Sequence, residues 1–401
     1  MVHVVIMAGG SGTRFWPKSR KNIPKQCIAI VSSKTLIEET VERLELLAPK
    51  QNIYISTGKH LEGPIRKIVP DVKYVVEPLS KNTAACIGLS AMTILLNDPE
   101  AIMVVETADH VYSDVDAYIN HLQVGVEMAK DDKIVLIGIK PTFPHTGFGY
   151  IHQGKEITGE SEDIKIFDIA GFKEKPDYKT AKQFLDEGMY LWNSGIFISK
   201  AKVMLEAIRQ HMPQLYNALL RIDDSEFDEQ VIFEEFEQLE SISIDYGVME
   251  KAKNTVVVRG EFPWDDVGDW KAMDRIHPKD SKGNVIMGKH KGNARNCIIF
   301  GDDKQIETGD IEGLVIVDTK DCLLVCSKDR VQEIKKIVEI MQQDLELVKY
   351  VVDIQEDFEQ QKISVDCENI EIESDGLVAT IGVDGLYIEK NDNKIIIREV
   401  E

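Results

Sequence analysis

The chain has 401 residues, a formal net charge of -22 and an isoelectric point near 4.9, with 43% hydrophobic and 29% charged residues. That length admits two domains or more, and the composition is ordinary for a globular protein. So much acid argues against nucleic acid as a partner. No apolar run approaches the ~18 residues of a membrane span and the N-terminus enters a strand directly, so a cytoplasmic location is expected.

The apolar run at 3–7 reads as a buried strand, and the glycine-rich turn behind it sits where α/β proteins grip phosphates. Gly9, Gly10 and Gly12 lack Cβ, so backbone N–H groups there can close on an anion. Arg14 and Lys25 bring mobile positive charge to the same place. No Asp or Glu precedes residue 38, whereas Arg14, Lys18, Arg20, Lys21, Lys25 and Lys34 all do. In a chain this acidic, a polyphosphate substrate accounts for that block.

Residues 35–47 show helical periodicity, and 52–56 and 73–76 read as strands. A helix over 82–96 follows with Asn82 as its N-cap, then strands at 101–105 and 133–139. Strands alternating with helices predict an α/β fold with a mainly parallel sheet, whose ligands gather at strand carboxyl ends. Further helices are expected over 201–221, 228–239 and 329–350. Near residue 276 helical periodicity gives way to short Val- and Ile-rich runs, which marks a domain boundary. Six cysteines, at 27, 86, 297, 322, 326 and 367, form no C-x-x-C pair and point to reduced thiols.

The last fifty or so residues repeat an earlier pattern. Ile298, Phe300, Ile306, Ile311, Leu314, Ile316, Leu323, Leu324 and Val325 have apolar counterparts 72 positions on, from Ile370 to Ile397. Thr308 and Thr380, and Gly313 and Gly385, keep the same offset. A degenerate second copy of one β unit is expected.

Neither common phosphate loop fits the N-terminal glycines. No Lys-Ser/Thr follows Gly12, and Phe15 stands where a dinucleotide-binding pattern needs its third glycine. G-G-S-G-T-R at 9–14, with Lys25 after ten more residues, resembles the sugar nucleotidyltransferases. F-W-P at 15–17 and P-K-Q at 24–26 resemble the branch of that family that takes GTP and mannose 1-phosphate. The resemblance runs over residues 1–345. It implies a Rossmann-like catalytic domain over 1–275 and a left-handed-β-helix-like module with a helix over 276–350. Residues 351–401 then form an extension. It also implies formation of GDP-mannose and pyrophosphate, Mg2+ as cofactor, and homo-oligomers built through the β module. A different sugar 1-phosphate or nucleotide, or a non-catalytic regulatory paralogue, stays open.

The resemblance assigns roles along the chain. Ala8, Gly9, Gly10, Ser11, Gly12 and Thr13 hold the nucleotide, and Arg14 and Lys25 stabilise the leaving pyrophosphate. Asp109 in E-T-A-D-H binds metal, with Thr107 in place of the usual proline. Gly149 lies beside the hexose; Glu174 in F-K-E-K-P accepts from sugar hydroxyls, and Lys175 meets the phosphates. Asn193 makes a second sugar contact, and Asp266 in W-D-D-V-G is the second metal ligand. An acceptor-only carboxylate suits a polyol and a lysine suits a phosphate. The phrase S-I-D-Y-G-V-M at 243–249 carries no chemistry that can be read from sequence. Lys18, commonly Leu, and Ala85, commonly Pro, depart from the pattern. Glu77, placed where relatives contact the base, is expected to read guanine through its paired N–H donors, with Asn82 and Thr83 shaping the pocket. Alternatively, Glu77-Pro78 only ends a strand.

Overall fold

The first apolar run forms strand β1 (Val2–Met7), in which Val4, Val5 and Ile6 are fully buried. In this computed structural model, residues 1–10, 12–157, 163–355, 360–391 and 393–400 are described. They fall into two units, Met1–Gly9 with Ile37–Trp264, and Gly10–Leu36 with Asp265–Glu401. The division therefore comes before residue 276. The glycine-rich segment groups with the C-terminal residues, not with the sheet that leads into it.

The first unit is built on nine strands: β1, β2 (Ile53–Gly58), β3 (Lys73–Glu77), β4 (Ile102–Thr107), β6 (Ile134–Ile139), β7 (Tyr150–Ile157), β8 (Ile166–Lys173), β9 (Tyr190–Lys200) and β10 (Thr255–Gly260). Two short strands, β5 (Val111–Tyr112) and β11 (Trp264–Asp265), lie outside that sheet. The sheet order is β3-β2-β1-β4-β9-β6-β10-β8-β7. β1 runs parallel to β2 and β4, and β10 parallel to β6. β9 enters antiparallel between β4 and β6, so the sheet is mixed. The expected parallel character holds for β1 to β4, and the apolar runs of β1, β2 and β4 are buried on both faces, while β3 is a half-exposed edge strand. Met7 lies opposite both Ser56 and Thr107, and Gly58 opposite Glu77, which brings the carboxyl ends of these strands to one edge.

Two expected helices are divided for local reasons. Residues 201–221 break at Met212, because Pro213 starts a new helix, Pro213–Asp224, and restricts the residue before it. The helix expected over 329–350 is regular only over Ile334–Gln343 and Lys349–Val352. Between them Asp344 takes the amides of Glu346 and Leu347 onto its Oδ1 at 2.8 and 3.2 Å, offering the backbone a turn in place of the helix.

The second unit contains β12 (Val285–Gly292), β13 (Ile298–Thr308), β14 (Leu314–Asp318), β15 (Cys322–Ser327), β16 (Gln361–Val365), β17 (Glu371–Ser374), β18 (Leu377–Ile381), β19 (Leu386–Lys390) and β20 (Lys394–Glu399). Ile306, Ile316, Leu323 and Val325 share one apolar core with Val378, Ile388, Ile395 and Ile397. The segment 10–36 is held here by a buried ion pair. Arg20 Nη2 lies 3.1 Å from Asp321 Oδ1 with both side chains fully buried, and the same guanidinium donates to the carbonyls of Pro17 and Tyr350. The Trp16 indole also donates to the Tyr350 carbonyl at 3.0 Å, and the Trp270 indole to the Trp16 carbonyl at 3.2 Å.

Removing one partner of a buried ion pair strands the other charge. Asp321→Ala should therefore lower stability by about 3–5 kcal/mol in urea denaturation. A loss below about 1 kcal/mol would show that Arg20 does not depend on this carboxylate.

Candidate active site

In the first unit the strand ends present the expected residues in sequence. Past β1, the Ala8 amide donates to the Ser56 carbonyl at 2.8 Å, and the Ala8 carbonyl accepts from Thr57 Oγ1 at 2.8 Å. Gly9 is exposed. Past β4, the Ala108 amide donates to the Met7 carbonyl at 3.1 Å, so Asp109 follows a residue tied to the end of β1. Under this loop lies a buried network. Glu106 accepts from Tyr112 at 2.9 Å and from Tyr118 at 2.7 Å. The Arg43 guanidinium stacks 4.6 Å from the Tyr112 ring, and Thr40 donates to the Ala108 carbonyl at 3.3 Å. Burial pushes the Glu106 pKa up, against the pull of Arg43 and the two phenols.

Glu77 ends β3 with only 7% exposure, and its Oε1 accepts from Ser56 at 3.3 Å. Burial raises its pKa to about 7, with Cys86 and Ser56 drawing it back. The carboxyl is thus tied to the neighbouring strand β2 through Ser56. Asn82 opens its helix with a left-handed φ of 67°, its Oδ1 accepting from the Thr83 amide at 2.8 Å; Lys81 holds the N-cap position expected for Asn82. Thr83 Oγ1 in turn accepts from the Ile244 amide at 2.9 Å.

The three sugar-side residues converge. A Cβ on Gly149 would come within 2.5 Å of Glu174 Oε2 and 3.3 Å of the Asn193 Cβ, so glycine is needed for the other two to approach. The Asn193 amide donates to the Gly149 carbonyl at 2.8 Å. Lys175 Nζ is 2.9 Å from Glu174 Oε1. The sequence did not reveal Asp245, in a one-turn π-helix (Asp245–Met249), whose Oδ1 accepts from Asn193 Nδ2 at 2.7 Å. Burial, then the nearby Glu174 charge, raises the Asp245 pKa to about 6. The phrase at 243–249 is visible in the sequence, but periodicity cannot show a π turn. Beside this group a cleft of about 770 Å³ is lined by Asn82, Lys175, Tyr246 and Lys251 among others, a size suited to a small-molecule ligand.

The second unit holds the remaining residues. Ser11 lies outside the described residues. Gly12 has φ 63°, and a Cβ there would collide with the Lys25 side chain, so both conformation and packing require glycine. Thr13–Phe15 form a 3₁₀ turn, with Arg14 exposed. Lys25 is less mobile than expected. It is 7% exposed, lies over the Phe15 ring, and donates to the Asp266 carbonyl at 2.9 Å. Gly10, Gly12, Thr13, Arg14, Lys25 and Asp266 all belong to this unit, while Ala8, Gly9, Glu77, Asn82, Thr83, Asp109, Gly149, Glu174, Lys175 and Asn193 belong to the first.

The donors suit Mg2+, which takes one or two carboxylates plus phosphate oxygens and water. Asp109 and Asp266 are hard oxygen donors in loops. A Cβ on Gly268 would crowd Asp266 Oδ2 at 2.9 Å, so the glycine leaves that oxygen room. Among the described residues no three His, Cys, Asp or Glu side chains form a closed metal cage, and a substrate-completed site requires none. No helix among them is long and apolar enough to cross a membrane.

Comparison with known proteins adds an independent line. Residues 3–283 match the nucleotidyl transferase family, and residues 293–341 match the MannoseP isomerase/GMP-like beta-helix domain. An Escherichia coli mannose-1-phosphate guanylyltransferase is 34% identical over 86% of this chain and 74% of its own length. The alginate biosynthesis protein AlgA of Pseudomonas aeruginosa is 33% identical over 83% of this chain and 71% of its own. A crystal structure from Thermus thermophilus, described as a mannose-1-phosphate geranyltransferase, superposes with a TM-score of 0.78 at 34% identity, covering 85% of this chain and 99% of that one.

The Asp245 carboxyl gives a pH signature. Its pKa is raised from 3.8 to about 6, so the folded state binds the proton more tightly than the unfolded chain. Wild-type stability relative to Asp245→Asn should fall as pH rises from about 4 to about 6, then level off. A difference constant across that window would place the carboxyl in an ordinary, solvated setting.

Proposed function

The chain belongs to the nucleotidyl transferase family, and from that premise we propose that it joins GTP and mannose 1-phosphate into GDP-mannose and pyrophosphate. The observation that carries this is the convergence of Gly149, Glu174 and Asn193 in one unit, with Lys25 bound to the backbone of Asp266 in the other. The name of the Escherichia coli relative supports the substrate pair.

In this reading an oxygen of mannose 1-phosphate attacks the GTP α-phosphorus in line. The new O–P bond forms as the bond to the bridging oxygen breaks, and pyrophosphate leaves. The monoester is itself a competent nucleophile, so the protein contributes positioning and charge. Glu174 and Asn193 orient hexose hydroxyls, with Asp245 holding the Asn193 amide in place. Lys175 meets the phosphates, and Gly10, Gly12 and Thr13 supply backbone to the triphosphate. Lys25 and Arg14 offset the charge that grows on the leaving group. Asp109 and Asp266 would hold Mg2+, which supplies charge neutralisation at phosphate oxygens.

The decisive assay is pyrophosphate release over a matrix of nucleoside triphosphates and sugar 1-phosphates. GTP with mannose 1-phosphate should give the highest kcat/KM. A higher value for another pair would reassign the substrates, and no release with any pair would leave a binding protein without turnover. Lys25→Ala should slow synthesis and pyrophosphorolysis alike by about 10²–10³-fold, since one charge serves the same transition state in both directions. Unchanged reverse kinetics would remove Lys25 from the leaving-group side. Glu77→Gln separates the two readings of that residue. If Glu77 reads guanine, kcat/KM falls more for GTP than for ITP, which lacks the N2 amine; equal losses mark it as a strand-end support.

A further inference from the structure

The C-terminal repeat is visible in the pairing of the strands, not only in the sequence. β19 and β20 lie 72 positions after β14 and β15 at both ends. Their hairpins have the same register, Leu314 opposite Ser327 and Leu386 opposite Glu399. Gly313 and Gly385 have φ of 69° and 64°, and each carbonyl accepts from the residue after its hairpin, Lys328 at 2.8 Å and Val400 at 2.7 Å. The copies differ in that the single strand β13 corresponds to two, β17 and β18, and in that β17 on β19 is a single residue out of step with β13 on β14.

The two copies also exchange strands reciprocally. Gln305 of β13 pairs with Lys394 of β20, and Leu377 of β18 pairs with Cys322 of β15. Shifting each residue by the repeat length turns one of these contacts into the other. That relation is the mark of an isologous, two-fold interface, here within a single chain. Residues at equivalent positions meet only at the axis of such an arrangement. Asp318 and Lys390 are 72 apart and form a salt bridge of 2.8 Å with side chains 3% and 0% exposed.

We propose that residues 361–399 stand in for a second copy of residues 289–327, closing in cis the strand edges through which such a β unit would otherwise pair with another chain. Uncovered, the outer edges of β13 and β15 would present rows of backbone groups open to pairing. The axial pair gives the closure its specificity. Two first copies meeting across this axis would set Asp318 against Asp318, whereas the tail brings Lys390 to it. Assembly through these β-module edges, expected from the family resemblance, is thereby forestalled, and subunit contacts would have to use other surfaces.

The test uses two full-length chains, Asp318→Lys and Lys390→Asp. Each alone has like charges on the axis and should release its tail. Amides of 305–308 and 322–326 that face the tail should then exchange at least tenfold faster, while those of β1 to β4 stay protected. Mixed in equal amounts, each chain's tail fits the other's first copy. Native mass spectrometry should show a dimer containing one of each. Asp318→Lys with Lys390→Asp in one chain should restore wild-type mass and protection. Wild-type protection in the single variants, or released tails that do not associate on mixing, would overturn the proposal. Should either single variant lose protection throughout the module, the chain carrying both changes decides, supporting the proposal if protected and refuting it if not.

Discussion

Arg20 and Asp321 are both fully buried, and their pairing ties the glycine-rich segment to the C-terminal residues. An unpaired charge in that position would cost several kcal/mol, so neither side chain can leave without the other. The guanidinium uses its remaining donors on the Pro17 and Tyr350 carbonyls, and Asp321 Oδ2 accepts the Gln355 amide at 2.9 Å. Backbone bonds add to this, from Lys21 to Val351 at 2.8 Å and from Asn22 to Val352 at 3.0 Å. The chain leaves the sheet at Gly9, and the following residues pack with the C-terminal β structure. The β module is therefore part of what shapes the glycine-rich segment.

Each unit holds buried polar groups in place by hydrogen bonds. In the first, Glu106 and its two tyrosines lie under the loop of Asp109, and Asp245 fixes the amide of Asn193. In the second, the absence of a Cβ at Gly12 admits Lys25, whose ammonium is held by a carbonyl beside the Asp266 carboxylate. These groups carry desolvation costs that an apolar core would not, and hydrogen bonds offset them one by one.

What is legible in the sequence has a local signature. The strands read at 3–7, 52–56 and 101–105 are plain from apolar runs and lie within a residue or two of β1, β2 and β4, and the repeat is plain from its constant offset. Gly149, Glu174 and Asn193 stand out as motifs, and they do converge. Three kinds of feature have no such signature. The antiparallel insertion of β9 depends on tertiary partners, and nothing in residues 190–200 encodes direction. The grouping of 10–36 with the C-terminal unit depends on Arg20 and Asp321, 301 positions apart. Asp245 acquires its role from burial and from a π turn, neither of which hydrophobic period reports. Glu77 stands out in the sequence by its place at a strand end, but its carboxyl is engaged by Ser56, a partner 21 positions away on the neighbouring strand.

The dependence of the glycine-rich segment on the β module is tested most directly by amide hydrogen exchange at residues 20–23 in wild type and Asp321→Asn. If the buried pair seats the segment, these amides should exchange at least tenfold faster in the variant, while those of β1 and β4 keep their wild-type rates. Unchanged exchange at 20–23, or a uniform loss of protection across the sheet as well, would contradict it.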